Sequence, residues 1–113
     1  MILISLDIDG TLDVGDPPGP VTMEGVRRSL GRGCVIGSCS DRPLSTQRKI
    51  FEAAGVPISF AVSKHMLADV KAKFAADRYL HVGDREDLDK RYALMADFEF
   101  LWPDEAAASE WLS

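Results

Sequence analysis

The chain opens on an apolar run, Ile2-Leu3-Ile4-Ser5-Leu6, that breaks into Asp7-Ile8-Asp9-Gly10-Thr11-Leu12. A short apolar stretch closed by acids and a glycine reads as a buried strand of a parallel sheet. Such sheets bind ligands outside the carboxyl ends of their strands, so this strand delivers two carboxylates to the place where chemistry is done. Two acids so placed can divide the labour, one attacking as a nucleophile and the other moving a proton. A polar turn, with Gly10 supplying a positive φ, would leave the same residues idle. The rest of the chain has to decide between these two readings.

Beyond the opening strand, turn formers in Asp13-Val14-Gly15-Asp16-Pro17-Pro18-Gly19-Pro20 make a short loop or flap. Thr22 is suited to cap a helix running to about Leu30, stopped by Gly31 or Gly33, and residues 34–39 form the second strand. Ser40-Asp41-Arg42-Pro43 breaks that strand, and helical spacing follows over residues 44–54, then a short strand over 58–62. A helix over 65–76, a strand over 79–82 entering Gly83-Asp84, a helix over 87–96, a strand over 98–102 and a helix opened by Pro103-Asp104 complete the pattern. Strands alternating with helices predict a single Rossmann-like three-layer α/β domain over residues 1–113. Its sheet should be mainly parallel, of about five strands, with helices on both faces. A chain of 113 residues supports one core and leaves no room for a substantial second domain.

Charge and composition remove several classes of function. A net charge of −5 disfavours non-specific binding to nucleic acid or an anionic membrane, and any phosphate pocket must create its positive potential locally. No run approaches the roughly 20 apolar residues that span a bilayer, and the first residues read as a core strand instead of a secretory leader. Cys34 and Cys39 flank one predicted strand and are poorly placed to bridge each other. Reduced core thiols in a cytoplasmic protein are the expectation.

Residues able to do chemistry fall just after predicted strands: Asp7 and Asp9, Ser40, Lys64, and Asp84 with Asp87 or Asp89. Acids from separate strands around one point suit Mg²⁺, which takes oxygen ligands and keeps waters. No His/Cys cluster has zinc spacing. A serine hydroxyl and a lysine ammonium at the same point would bind phosphoryl oxygens and neutralise charge as it develops. Neighbouring carboxylates would raise the pKa of Asp9 and let it donate a proton to a leaving alkoxide, although Mg²⁺ opposes that shift.

With these residues in view the chain resembles the haloacid dehalogenase-like (HAD) superfamily. Asp7-Ile8-Asp9-Gly10-Thr11 matches its first motif, D-x-D-G-T, and Gly83-Asp84 through Asp89 matches the longer form of its fourth. The resemblance implies that Asp7 is a nucleophile forming an aspartyl-phosphate and that Asp9 is the acid/base. It also implies Mg²⁺ held by the Asp7 carboxylate, the Asp9 backbone carbonyl, Asp84 and a second acid, Asp89 or Asp87. Ser40 fits the second motif better than Ser38, and Lys64 fits the third better than Lys71. An acid at position 9 implies phosphomonoester hydrolysis; the alternative is a catalytically silent HAD-fold binding or regulatory domain. Neither usual insertion point carries a cap domain, so an open site is expected, suited to a large phosphorylated substrate or closed by another subunit of a homo-oligomer.

Other features take a plainer reading. Gly31-Arg32-Gly33 precedes a strand and is read as a helix stop. His81, inside an apolar strand, and His65, opening a helix, are read as structural. Arg42 and Arg85 adjoin site residues, but loop arginines are usually solvated or ion-paired.

Overall fold

Ile2–Leu6 form strand β1, whose side chains alternate between the two faces of the sheet. Ile4 and Leu6 enter one core cluster and Leu3 the other. The computed structural model describes all of residues 1–113. In it β1 pairs in parallel with Val35–Cys39 (β2) on one side and Arg78–Val82 (β4) on the other. Ala61–Val62 (β3) adds to β2 and Glu99–Leu101 (β5) to β4, giving an all-parallel five-stranded sheet in the order β3-β2-β1-β4-β5.

Helices Met23–Gly31 (α1) and Leu44–Ala53 (α2) join β1 to β2 and β2 to β3. Leu67–Lys73 (α3) and Arg91–Met95 (α4) accompany the steps to β4 and β5, and Pro103–Ala108 (α5) follows β5. Right-handed crossovers place helices on opposite faces when the chain moves in opposite directions across the sheet. The packing agrees. Val26, Phe51 and Ala106, from α1, α2 and α5, join Ile4, Leu6, Ile36, Leu80 and Val82. Leu67, Val70 and Ala93, from α3 and α4, join Leu3, Cys39, Phe60 and Phe98 on the other face. The direction of winding therefore reverses between β1 and β4, which opens a crevice at their carboxyl ends.

Local chemistry sets the boundaries. Thr22 caps α1 by accepting a hydrogen bond from the Gly25 amide at 3.0 Å, as its position before the helix led one to expect. The third strand is shorter than residues 58–62, but backbone bonds from Ser59 to Ile36 and from Ser38 to Phe60 already tie this segment to β2. The helix expected over 65–76 starts as a 3₁₀ turn, Lys64–Met66, and α3 ends at Lys73 because Phe74 is extended. The segment expected to be helical over 87–96 divides into a π-helical turn, Glu86–Lys90, and α4.

The two stretches that the resemblance marks for a cap insertion are short. Residues 13–20 fold back on the first motif, with Gly10 donating to the Pro17 carbonyl at 2.7 Å and Gly19 to that of Leu12 at 2.8 Å. Only Ser63 separates β3 from Lys64. Cys34 and Cys39 are free thiols, and no helix is long and apolar enough to cross a membrane.

Candidate functional site

At the end of β1 the backbone keeps its sheet pairing for one more residue, since the Asp7 amide donates to the Val82 carbonyl at 2.9 Å. Asp7 is thereby fixed facing the loop after β4, and Gly83-Asp84 leaves that strand beside it. Gly10, at φ +75°, lies so near that loop that a Cβ on it would overlap the Asp84 carboxylate. A Cβ at Gly83 would overlap Asp89 in the same way. The glycines of both motifs are thus required by side chains, each leaving room for an acid contributed by another part of the site.

Carboxylate oxygens of Asp7, Asp84 and Asp89 all lie within 4.8 Å of one another. Lys64 Nζ stands 3.5 Å from Asp7, 3.2 Å from Asp89 and 3.6 Å from Asp41. An all-oxygen donor set of this kind fits a hard divalent cation, and the absence of His or Cys from it disfavours zinc. Asp7, Asp9, Pro17, Asp41, Lys64, Asp84 and Arg85 line a cleft of about 210 Å³ that contains no hydrophobic residue. Larger hollows of about 420 and 250 Å³ lie around Pro57 and Phe60, away from these acids.

The π-helical turn separates the two acids that follow Asp84. Asp89 is fully buried, accepting from Lys64 Nζ, from the Arg85 amide at 3.1 Å and bonding His81 Nε2 at 2.9 Å. Asp87 points to solvent and pairs with Arg85. Lys64, 4% exposed, is the lysine of the cleft, whereas Lys71 bonds the Asp97 carbonyl on the surface. Ser40 is buried, and its Oγ accepts from the Arg42 amide at 3.1 Å. Its neighbour Asp41 lines the cleft instead of Ser40. Ser38 is further removed, donating to Gln47 inside the core.

Electrostatics separates the first two acids. Burial pushes Asp7 up to about 8, reinforced by the charge of Asp89 and opposed by Lys64. Asp9 moves the other way. Arg42 binds both its oxygens, at 2.9 and 2.8 Å, and the Asp16 amide adds a third bond at 2.8 Å, so its carboxyl is held below the usual range. The expectation that neighbouring carboxylates raise Asp9 is therefore overturned: a guanidinium, not an acid, is its nearest charged neighbour. Burial pushes Asp89 up, but hydrogen bonding to His81 and the charge of Lys64 outweigh it and leave the carboxyl below its ordinary value. Lys64 is likewise penalised by burial, yet Asp7 and Asp89 raise it overall.

Sequence reading did not find the Arg42–Asp9 pair or the tie from His81 to Asp89. The first spans 33 positions and depends on how the β1 and β2 loops meet. The second had a visible signal, since a polar histidine in an apolar strand needs a buried partner. Comparison with known proteins adds nothing to these observations: no family model, curated protein or solved structure matches the chain.

Proposed function

We propose that this chain is a capless HAD-like phosphatase that hydrolyses a phosphomonoester through an aspartyl-phosphate on Asp7, with Mg²⁺ held by Asp7, the Asp9 backbone carbonyl, Asp84 and Asp89. The observation that carries this reading is the meeting of Asp7, Asp84 and Asp89 with Lys64 at the crevice between β1 and β4. A bound Mg²⁺ would neutralise phosphoryl oxygens and favour the ionised form of Asp7. Asp7 then attacks phosphorus while Lys64 balances charge on the transferring group. Thr11 Oγ1 donates to Asp7 Oδ2 at 3.2 Å and orients the carboxylate for attack from its other oxygen.

Once free of Arg42 and protonated from solvent, Asp9 gives that proton to the leaving oxygen and takes one from water in the second step. In this reading it must first part from Arg42, and the anionic substrate competes for that guanidinium. The open, mostly polar cleft suits a large or strongly charged phosphorylated substrate, with or without a second subunit of a homo-oligomer over it. A cytoplasmic setting accords with the free thiols.

Release of phosphate from a panel of phosphorylated metabolites, phosphopeptides and end-phosphorylated nucleic acids, with and without Mg²⁺, tests the proposal. Turnover undiminished by a chelator would contradict the metal assignment. The Arg42 fork on Asp9 favours one second reading, a silent domain that binds a metal or anion with its acid/base locked. Binding across the panel without turnover would establish it.

A further inference from the structure

His81 is a fully buried imidazole on β4, directly opposite Ser5 in the β1–β4 register. Its Nδ1 lies 2.9 Å from Ser5 Oγ, and its Nε2 lies 2.9 Å from Asp89 Oδ1. Ser5, His81 and Asp89 are all 0% exposed, so no water competes for these bonds. An ionised carboxylate only accepts, which assigns the imidazole proton to Nε2. In a neutral ring Nδ1 then accepts from the Ser5 hydroxyl. The other oxygen of Asp89 receives Lys64 Nζ and the Arg85 amide, and no buried side-chain polar atom of the molecule lacks a partner.

The local backbone makes this arrangement necessary. A π-helical turn carries Asp89 inward while Asp87 and Glu86 stay exposed. Gly83 removes the Cβ that would occupy the place of its carboxyl group. Such a turn widens the helix and is commonly kept where a side chain must be aimed. Packing holds the ring on the sheet side, with Phe100 of β5 at 6.4 Å between centroids.

We propose that Ser5 and His81 form a buried positioning relay: Ser5 fixes the imidazole tautomer, and His81 fixes Asp89 so that one carboxylate both orients Lys64 and completes the metal site. This rests on the metal reading of the acid cluster given above. Neither residue touches substrate. Their role is exerted through Asp89, in the way that groups behind metal ligands usually act.

Two measurements test the relay. Two-bond ¹⁵N–¹H spectra of the metal-free protein should show the His81 proton on Nε2 and none on Nδ1; a proton on Nδ1, with or without one on Nε2, overturns the proposal whatever the metal does. Mn²⁺ titration followed by electron paramagnetic resonance should show affinity falling about 10- to 100-fold in His81→Phe. His81→Gln, which keeps an N–H near the Nε2 position, should recover most of it. In an Asp89→Asn background the loss caused by His81→Phe should shrink to within about threefold, because contacting residues couple and independent ones add.

An undiminished loss in that background, or no rescue by Gln, assigns His81 a merely structural part and overturns the relay. If His81→Phe does not fold, Ser5→Ala takes its place, with an expected loss of about three- to tenfold; unchanged affinity in Ser5→Ala overturns the part given to Ser5. Wild-type protein that binds no Mn²⁺ overturns the metal reading and the relay together. Wild-type binding that no variant weakens overturns the relay alone.

Discussion

Asp7 and Asp9 are two residues apart on one loop and live in opposite electrostatic worlds. Asp7, 3% exposed, still belongs to the sheet through its amide and faces Lys64 and Asp89 across the buried floor of the cleft. Asp9 has left the sheet, is about a third exposed in its side chain, and is clasped by Arg42. The floor is dominated by desolvation, the rim by a solvated ion pair. A carboxylate's protonation is thus decided by where its backbone stops being strand, and one turn of chain suffices to reverse it.

Disabling the floor should have the largest effect. Asp7→Asn is expected to lower phosphate release at least about 10³-fold with the fold intact, as removal of a covalent nucleophile does; unchanged turnover would end the nucleophile assignment. Asp89→Ala should cost about 3–5 kcal/mol in urea unfolding, since it strands Lys64 and His81 without their partner. A loss below about 1 kcal/mol there would remove the contrast between floor and rim.

pH should sharpen the comparison in metal-free protein. Asp7 has a raised folded pKa, so the folded state holds its proton longer than the unfolded chain. Its contribution to stability is present in full below pH about 4 and is lost as pH rises to about 8. One such proton gives a slope of at most about 1.4 kcal/mol per pH unit. Asp89, shifted down, loses its contribution only at lower pH, outside that window. Thermal melts should show the slope in wild type, flattened in Asp7→Asn and by added Mg²⁺; a slope surviving in Asp7→Asn would assign it elsewhere. The smallest effect belongs to the rim, where Arg42→Gln should change unfolding stability by about 0–1 kcal/mol while altering the affinity for anionic substrates. A stability loss comparable to that of Asp89→Ala would show the rim to be built like the floor.

What was legible in advance follows the same division. β1, β2 and β4, with Asp7, Lys64 and Asp84 after strands, could be read from apolar runs and breakers because parallel strands are buried on both faces. Asp89 could not be separated from Asp87 by spacing, because a π-helical turn changes which residue faces inward without altering periodicity over so short a stretch. Arg42 was read as a loop arginine, solvated or ion-paired, with no partner named. Its partner is set by two loops meeting at the carboxyl ends of β1 and β2, and nothing in the local pattern around residue 42 encodes the position of residue 9.

The cleft, lined by charged side chains with only the Pro17 ring among them, bears on how any small molecule could be held there. Each methylene buried against hydrocarbon contributes about 0.8 kcal/mol, and beyond the Pro17 ring this cleft supplies little of it. Affinity would have to come from charge and hydrogen bonds, so it should weaken as ionic strength rises, and adding grease to an inhibitor should yield little. A compound screen run in high-salt buffer would pass over the very ligands this surface can retain.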